Sequence, residues 1–127
     1  MTDRITLHAF FGDKDRTFTL TDPMIAELER QTDLGVGAIY RQLINLAYPA
    51  SLLPAIIRLG LIGGGTSPEE AKFLCAAYAD NRPFAEVFPL AFDIFEARWN
   101  GVAQDETPED VARNAEADFA QFMKEAA

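Results

Sequence analysis

The sequence predicts a mainly α-helical α+β domain, an N-terminal β-hairpin followed by a bundle of five to six short helices. Three observations predict it. Apolar and polar residues alternate with the period of a strand only within the first twenty positions. From Thr21 onward, apolar residues recur at intervals of three and four, the period of one helix face. Proline and glycine cut that second part into short segments, with proline repeatedly placed where a helix begins. A chain of 127 residues is one domain by length. Hydrophobic content of 49% with ten Phe fits a packed core rather than disorder.

The hairpin comes first. Ile5, Leu7 and Ala9 alternate with Thr6 and His8, Gly12-Asp13-Lys14-Asp15 supplies the turn, and Thr17-Phe18-Thr19-Leu20 resumes the alternation. Two strands alone are marginal, so the apolar face is expected to lie on helices. Thr21-Asp22-Pro23 starts a helix, with Ile25 and Leu28 inward and Glu27, Glu29 and Arg30 outward. Asp33-Leu34-Gly35 ends it. A second helix is expected from Val36 to Ala47, with Val36, Ile39, Tyr40, Leu43, Ile44 and Ala47 at helical spacing. The third begins after Ser51, and its Leu52, Leu53, Ile56, Ile57 and Leu59 make it the most hydrophobic and the central one.

The stretch from Ile57 to Glu70 holds four glycines and a proline. Gly60 and Gly63 to Gly65 read as a helix stop, because glycine takes the left-handed conformation that closes a helix C-terminus. Ser67-Pro68-Glu69-Glu70 reads as a helix start. Ser67 caps, Pro68 takes the first position, and Ser67 with Glu70 forms a capping box. The fourth helix is expected to turn Phe73, Leu74, Ala77 and Tyr78 inward. Asn81-Arg82-Pro83 opens the next, whose Phe84, Val87, Phe88, Ala91, Phe92, Phe95 and Trp99 form a wide aromatic face. Pro89 inside it would clash with the Ala85 carbonyl, so a kink or split is expected near Phe88. Gly101 closes the main domain, residues 1–101. Residues 102–127 read as an acidic linker and a C-terminal helix starting at Thr107-Pro108, with Val111, Ala115, Phe119, Phe122 and Met123 as its apolar positions.

The charge narrows the function. Net charge is −9 and the isoelectric point about 4.4, which disfavours nucleic acid and anionic membrane surfaces. Residues 1–60 are nearly balanced, with seven acids against six bases. Residues 105–127 carry seven acids (Asp105, Glu106, Glu109, Asp110, Glu116, Asp118, Glu125) against Arg113 and Lys124. The N-terminus lacks the basic and apolar regions of a signal peptide. The apolar run from Leu43 to Ile62 is broken by Pro49, Pro54 and Arg58, short of the roughly 20 residues a membrane span needs. A single cysteine, Cys75, excludes an internal disulfide and a multi-cysteine zinc site. A reducing cytoplasm is the expected location.

No catalytic constellation stands out. Gly60-Leu61-Ile62-Gly63-Gly64-Gly65-Thr66-Ser67 matches a phosphate-binding loop except that Thr66 replaces its lysine. A helix precedes it where a strand is required, so a structural helix–turn–helix is the expectation. Asp13-Lys14-Asp15 would begin a calcium loop only with glycine sixth and glutamate twelfth, where Phe18 and Met24 stand. Asp93 and Glu96 read as a solvated helix face, Cys75 as a small core residue, and His8 as an exposed hairpin residue. Neither a metal nor a cofactor is expected. Trp99, at the end of the aromatic face, is a candidate for contact with a partner.

The glycine motif, Ile57-Arg58-Leu59-Gly60-Leu61-Ile62-Gly63-Gly64-Gly65 with Ser67-Pro68-Glu69-Glu70-Ala71, resembles the signature of the gene-transfer-agent and phage tail assembly chaperone family. That family is also labelled a tail tube protein family. Phe18-Thr19-Leu20 with Ile25-Ala26-Glu27-Leu28-Glu29, and Asp80-Asn81-Arg82-Pro83-Phe84, match it on either side. The resemblance covers about residues 5–101 and leaves the acidic tail outside. It implies a non-enzymatic protein of tail morphogenesis whose partners are the tape measure protein and tail tube subunits. A structural tail tube subunit is the alternative it implies, and association into a homo-oligomer stays open. Gly63, Gly64, Gly65 and Trp99 are the expected partner contacts. A small-ligand-binding enzyme built on the glycine loop is the third reading, opposed by the missing lysine.

Overall fold

The computed structural model describes residues 3–102. After a short 3-10 turn at Asp3–Ile5, strands β1 (Thr6–Phe11) and β2 (Lys14–Thr19) form an antiparallel hairpin. Phe11 pairs with Lys14, leaving a two-residue turn of Gly12 and Asp13. Gly12 has φ +76° while Asp13 is not among the residues of positive φ. Glycine alone at the first turn position is the pattern that matches strand twist. Five helices follow: α1 (Asp22–Thr32), α2 (Val36–Ile44), α3 (Leu52–Gly63), α4 (Pro68–Tyr78) and α5 (Phe84–Asn100). The fold is therefore the hairpin-plus-helices α+β domain that the two periodicities predict. The sixth expected helix falls in residues 103–127, outside the described residues.

Helix α3 is the hub. Leu52, Leu53, Ile56, Ile57, Leu59 and Leu61 are all buried, and each fully buried chain of this kind contributes about 1.5–3 kcal/mol relative to exposure. The helix packs on β2, α5, α4 and α1. The hairpin adds Phe11, Phe18 and Leu20 to the same core, and α5 adds Val87, Ala91, Ile94 and Phe95. Tyr78 closes the hairpin end, its ring edge-on to Phe11 at 5.9 Å.

Several local expectations are corrected by packing. α2 stops at Ile44 rather than Ala47, and Ile44 is 55% exposed. Its end is a Schellman closure: Ala47 N–H donates to the Gln42 carbonyl (2.8 Å) and Leu46 N–H to Leu43 (3.3 Å). Leu46 occupies the left-handed position at φ +54°. In α4, Ala71, Leu74 and Cys75 are buried, whereas Phe73 is 68% exposed and Ala77 faces solvent. The inward stripe is thus rotated from the expected one. Glu29 does not simply face out: its Oε2 accepts from the Val36 N–H at 3.1 Å and caps α2. Pro89 neither ends nor splits α5, which is continuous from Phe84 to Asn100. Pro89 lies on the exposed side of the helix, as does Ala85, so the carbonyl deprived of its partner can turn to water.

Candidate functional site

Two regions hold the residues singled out in the sequence, and the structure treats them oppositely. The first is the C-terminus of α3. Its closure is a complete Schellman motif: Thr66 N–H donates to the Leu61 carbonyl (2.9 Å) and Gly65 N–H to Ile62 (3.1 Å). Gly64 N–H donates to Gly60 at 2.9 Å. Only Gly65 has positive φ, at +111°. Gly63 is still helical and Gly64 has φ −84°, so left-handed geometry does not account for those two. Their reason is proximity. A Cβ on Gly63 would lie 1.8 Å from the Thr19 carbonyl oxygen, and one on Gly64 would lie 2.2 Å from that of Thr17. Gly60, one turn earlier, faces Ile94 and Phe18, and a Cβ there would lie 3.1 Å from the Ile94 side chain. The motif is a docking surface for β2, backbone against backbone.

The N–H groups of this loop are already engaged. A phosphate cradle needs free N–H groups, and those of Gly64, Gly65 and Thr66 are taken by α3 carbonyls. Ser67 caps α4, its Oγ accepting from the Glu70 N–H at 3.2 Å with Pro68 at the first helical position. Half of the capping box is therefore present. The Glu70 carboxylate, instead of returning to Ser67, lies 3.7 Å from the Arg16 guanidinium of β2. Of the three consecutive glycines, Gly65 is the exposed one, and a Cβ there would meet nothing within 4 Å.

The second region is the seam between α2 and α5. Trp99 stacks on Tyr40 with centroids 4.3 Å apart. Tyr40 lies 6.4 Å from Phe92, Phe92 5.6 Å from Phe88, and Phe88 5.3 Å from Tyr48, all near-parallel. The result is a ladder of five rings. Tyr40, Phe92, Phe88 and Tyr48 are half-buried and Trp99 is 45% exposed. The Tyr40 hydroxyl donates to Glu96 Oε2 at 2.7 Å, and the Asn100 amide donates to the other oxygen. The hydrogen bond to Glu96, then burial, raises the Tyr40 pKa and keeps the phenol neutral. Glu96 is thus an anchor for the ladder rather than a solvated partner of Asp93. Partial desolvation, then the nearby Glu96 charge, raises the pKa of Asp93 above the usual carboxylate value. Beside Trp99 lies a pocket of about 280 Å³ lined by Ile25, Val36, Phe95, Arg98 and Trp99. Arg98 fixes this end of α5, donating to the Leu20 carbonyl (2.9 Å) and to Asp22 (2.5 Å).

The sequence singles out Trp99 and one aromatic face on α5, but not the pairing of that face with Tyr40 and Tyr48. The available signal was the four-residue spacing of Tyr40, Ile44 and Tyr48 beside that of Phe84, Phe88 and Phe92. Two such stripes place more rings on the joint than one core accommodates. His8 is exposed, with Nδ1 3.3 Å from the Thr17 hydroxyl. Cys75 is buried against the Pro54 carbonyl, and burial pushes its thiol up to about 11, which suits a core residue. Among the described residues there is no cluster of metal-ligating side chains and no helix long and apolar enough to cross a membrane.

Fold and seam together define a hairpin-capped helical domain that presents a ladder of aromatic rings at its surface. Residues 4–101 match the family described as phage tail tube protein, GTA-gp10, and the chain belongs to that family. The matched span agrees with the resemblance carried by the glycine motif. Comparison with curated proteins and with solved structures returns no match.

Proposed function

We propose that this protein is a tail assembly chaperone: it binds the tape measure protein in the bacterial cytoplasm and hands it to tail tube subunits. The observation that carries this reading is the half-exposed aromatic ladder on a helical domain. An apolar helical segment can lay its side chains into such a seam by groove-type recognition, and rings supply large contact area at small entropic cost. Trp99 and the adjoining pocket are the expected anchor. Gly65 and the start of α4 are a secondary contact. Gly63 and Gly64 contribute indirectly, by holding the hairpin. The net charge of −9 opposes non-specific aggregation of the loaded complex. The role is non-catalytic and uses no cofactor.

The family description itself favours a second reading, a structural subunit of the tail tube. A tube built by pairing sheets around a channel needs more strand than one hairpin, and that favours the chaperone. Co-expression with the tape measure protein separates the two. The chaperone keeps the tape measure protein in the soluble fraction, co-purifies with it and is missing from finished particles. An unchanged soluble fraction eliminates the chaperone, and stoichiometric presence in mature tails establishes the tube subunit.

A further inference from the structure

Away from the aromatic seam, a groove of about 500 Å³ runs between α1, α3 and α4. Leu52, Pro54 and Ala55 line it together with Arg58 from α3 and Lys72 from α4. Its charge is unusual for this chain. Two cations and one carboxylate, Asp80, line it, so its balance is positive in a protein of net charge −9. Arg16, Arg30 and Arg98 each hold a carboxylate within 4 Å. Among the described residues, Arg58 and Lys72, like Arg4, Lys14, Arg41 and Arg82, have none that close; the Arg58 guanidinium donates to the Gln31 side-chain oxygen at 3.3 Å and acts on Glu27 only from a distance. The groove thus combines an apolar lining with two cations that form no ion pair within 4 Å.

The same chain carries the complementary segment. Residues 105–127 place seven acids against two bases, and Glu116 and Asp118 stand next to Phe119, Phe122 and Met123. We propose that this acidic segment docks in cis in the groove, with its carboxylates on Arg58 and Lys72 and its aromatic side chains on the apolar lining.

Reach does not limit it. The fourteen residues that follow Val102, up to Glu116, span up to roughly 46 Å when extended, against a radius of gyration of about 13 Å for a domain of this size. Tethering raises the segment's effective concentration to about the millimolar range, so even weak contacts hold it in place. Docking also neutralises the positive balance of this groove, leaving the aromatic seam as an open apolar surface. The inference stands apart from the chaperone reading, since it needs no tape measure protein.

Zero-length carbodiimide coupling of the full-length protein tests it. The chain has three lysines, Lys14, Lys72 and Lys124, so links are readily assigned by mass spectrometry. The expected product is a monomer in which Lys72 is joined to a carboxylate of residues 105–125. Its yield should fall about fivefold in roughly 0.5 M NaCl, where the screening length shrinks to a few ångström. It should fall about threefold in Arg58→Gln, which leaves Lys72 in place. The salt series uses the unaltered chain and so does not depend on how the variant folds. Links from Lys72 to the acidic segment found only in covalent dimers would overturn docking in cis in favour of a second copy. Coupling of Lys72 to Asp80 alone, or links to the segment that ignore both salt and Arg58→Gln, would overturn the proposal altogether.

Discussion

At the C-terminus of α3, helix backbone meets strand backbone with no side chain between them. Along the seam of α2 and α5, five rings meet and most of them keep part of their surface in water. The first contact has no slack, since a single methyl group on Gly63 would lie 1.8 Å from the Thr19 carbonyl oxygen. The second has room, with a pocket of about 280 Å³ beside Trp99. The glycine end locks the hairpin onto the central helix. The seam keeps aromatic surface available. The most distinctive motif in the chain is thereby a structural one, and the surface proposed for a partner is built from the aromatic face of α5 together with Tyr40 and Tyr48.

The sharpest way to break this contrast is substitution within the glycine triplet. Gly63→Ala forces the hairpin off α3 and should destabilise the domain by about 3 kcal/mol or more, the upper range for overpacking. Gly65→Ala has open space and suffers only from φ +111°, a cost of about 1–2 kcal/mol. Urea denaturation of both variants reads the difference. Equal losses would mean that left-handed geometry, not contact with β2, explains the motif.

The seam should respond in the other way. Trp99→Ala removes the 4.3 Å stack on Tyr40, and with Trp99 45% exposed the loss should be about 1–2 kcal/mol. On the chaperone reading, the same change should sharply reduce the tape measure protein recovered in the soluble fraction at unchanged chaperone expression. A variant that loses stability but not solubilising activity would make the ladder core after all.

How much of this was legible in the sequence depended on distance along the chain. The hairpin with its Gly12 turn, the Ser67 cap and the centrality of α3 follow from local periodicity and cap chemistry, and all are present. The face of α4 was misjudged because Ala71, Phe73, Leu74, Cys75, Ala76, Ala77 and Tyr78 are apolar nearly all round. Such a helix has no unique phase until neighbours choose one. The role of Gly63 and Gly64 was invisible because a glycine for a turn and a glycine for close approach look identical in sequence. The ladder was missed because Tyr40 and Trp99 lie 59 positions apart, and only the tertiary fold brings α2 against α5.

A smaller, opposite effect is expected where α2 ends beside the seam. Leu46 is held at φ +54° and is 69% exposed, so it bears left-handed strain and buries little. Leu46→Gly should raise stability by about 1 kcal/mol, the penalty a side chain incurs in that region. A loss on thermal denaturation would show that the leucine packs on something. If Leu46→Gly stabilises the domain but weakens recovery of the tape measure protein, the strained leucine belongs to the partner surface along with Trp99.

The smallest effect concerns neither region and serves as their control. Glu27, on the outer side of α1, accepts from the Arg30 guanidinium and from Gln31 at 3.0 Å. The Arg30 hydrogen bond chiefly, then that from Gln31, lowers its pKa from 4.5 to about 2. A carboxylate depressed on folding stabilises the native state above its unfolded pKa, and that contribution is lost as pH falls through the folded value. Glu27 should therefore contribute fully above pH 4.5 and progressively less down to about 2. Glu27→Gln should flatten the acid limb of the stability curve within that window and leave Trp99 fluorescence unchanged at neutral pH. The pair is solvent-exposed and screened by salt, so the change in slope should shrink as ionic strength rises. An acid limb that keeps its slope in the variant would assign acid sensitivity to carboxylates other than Glu27.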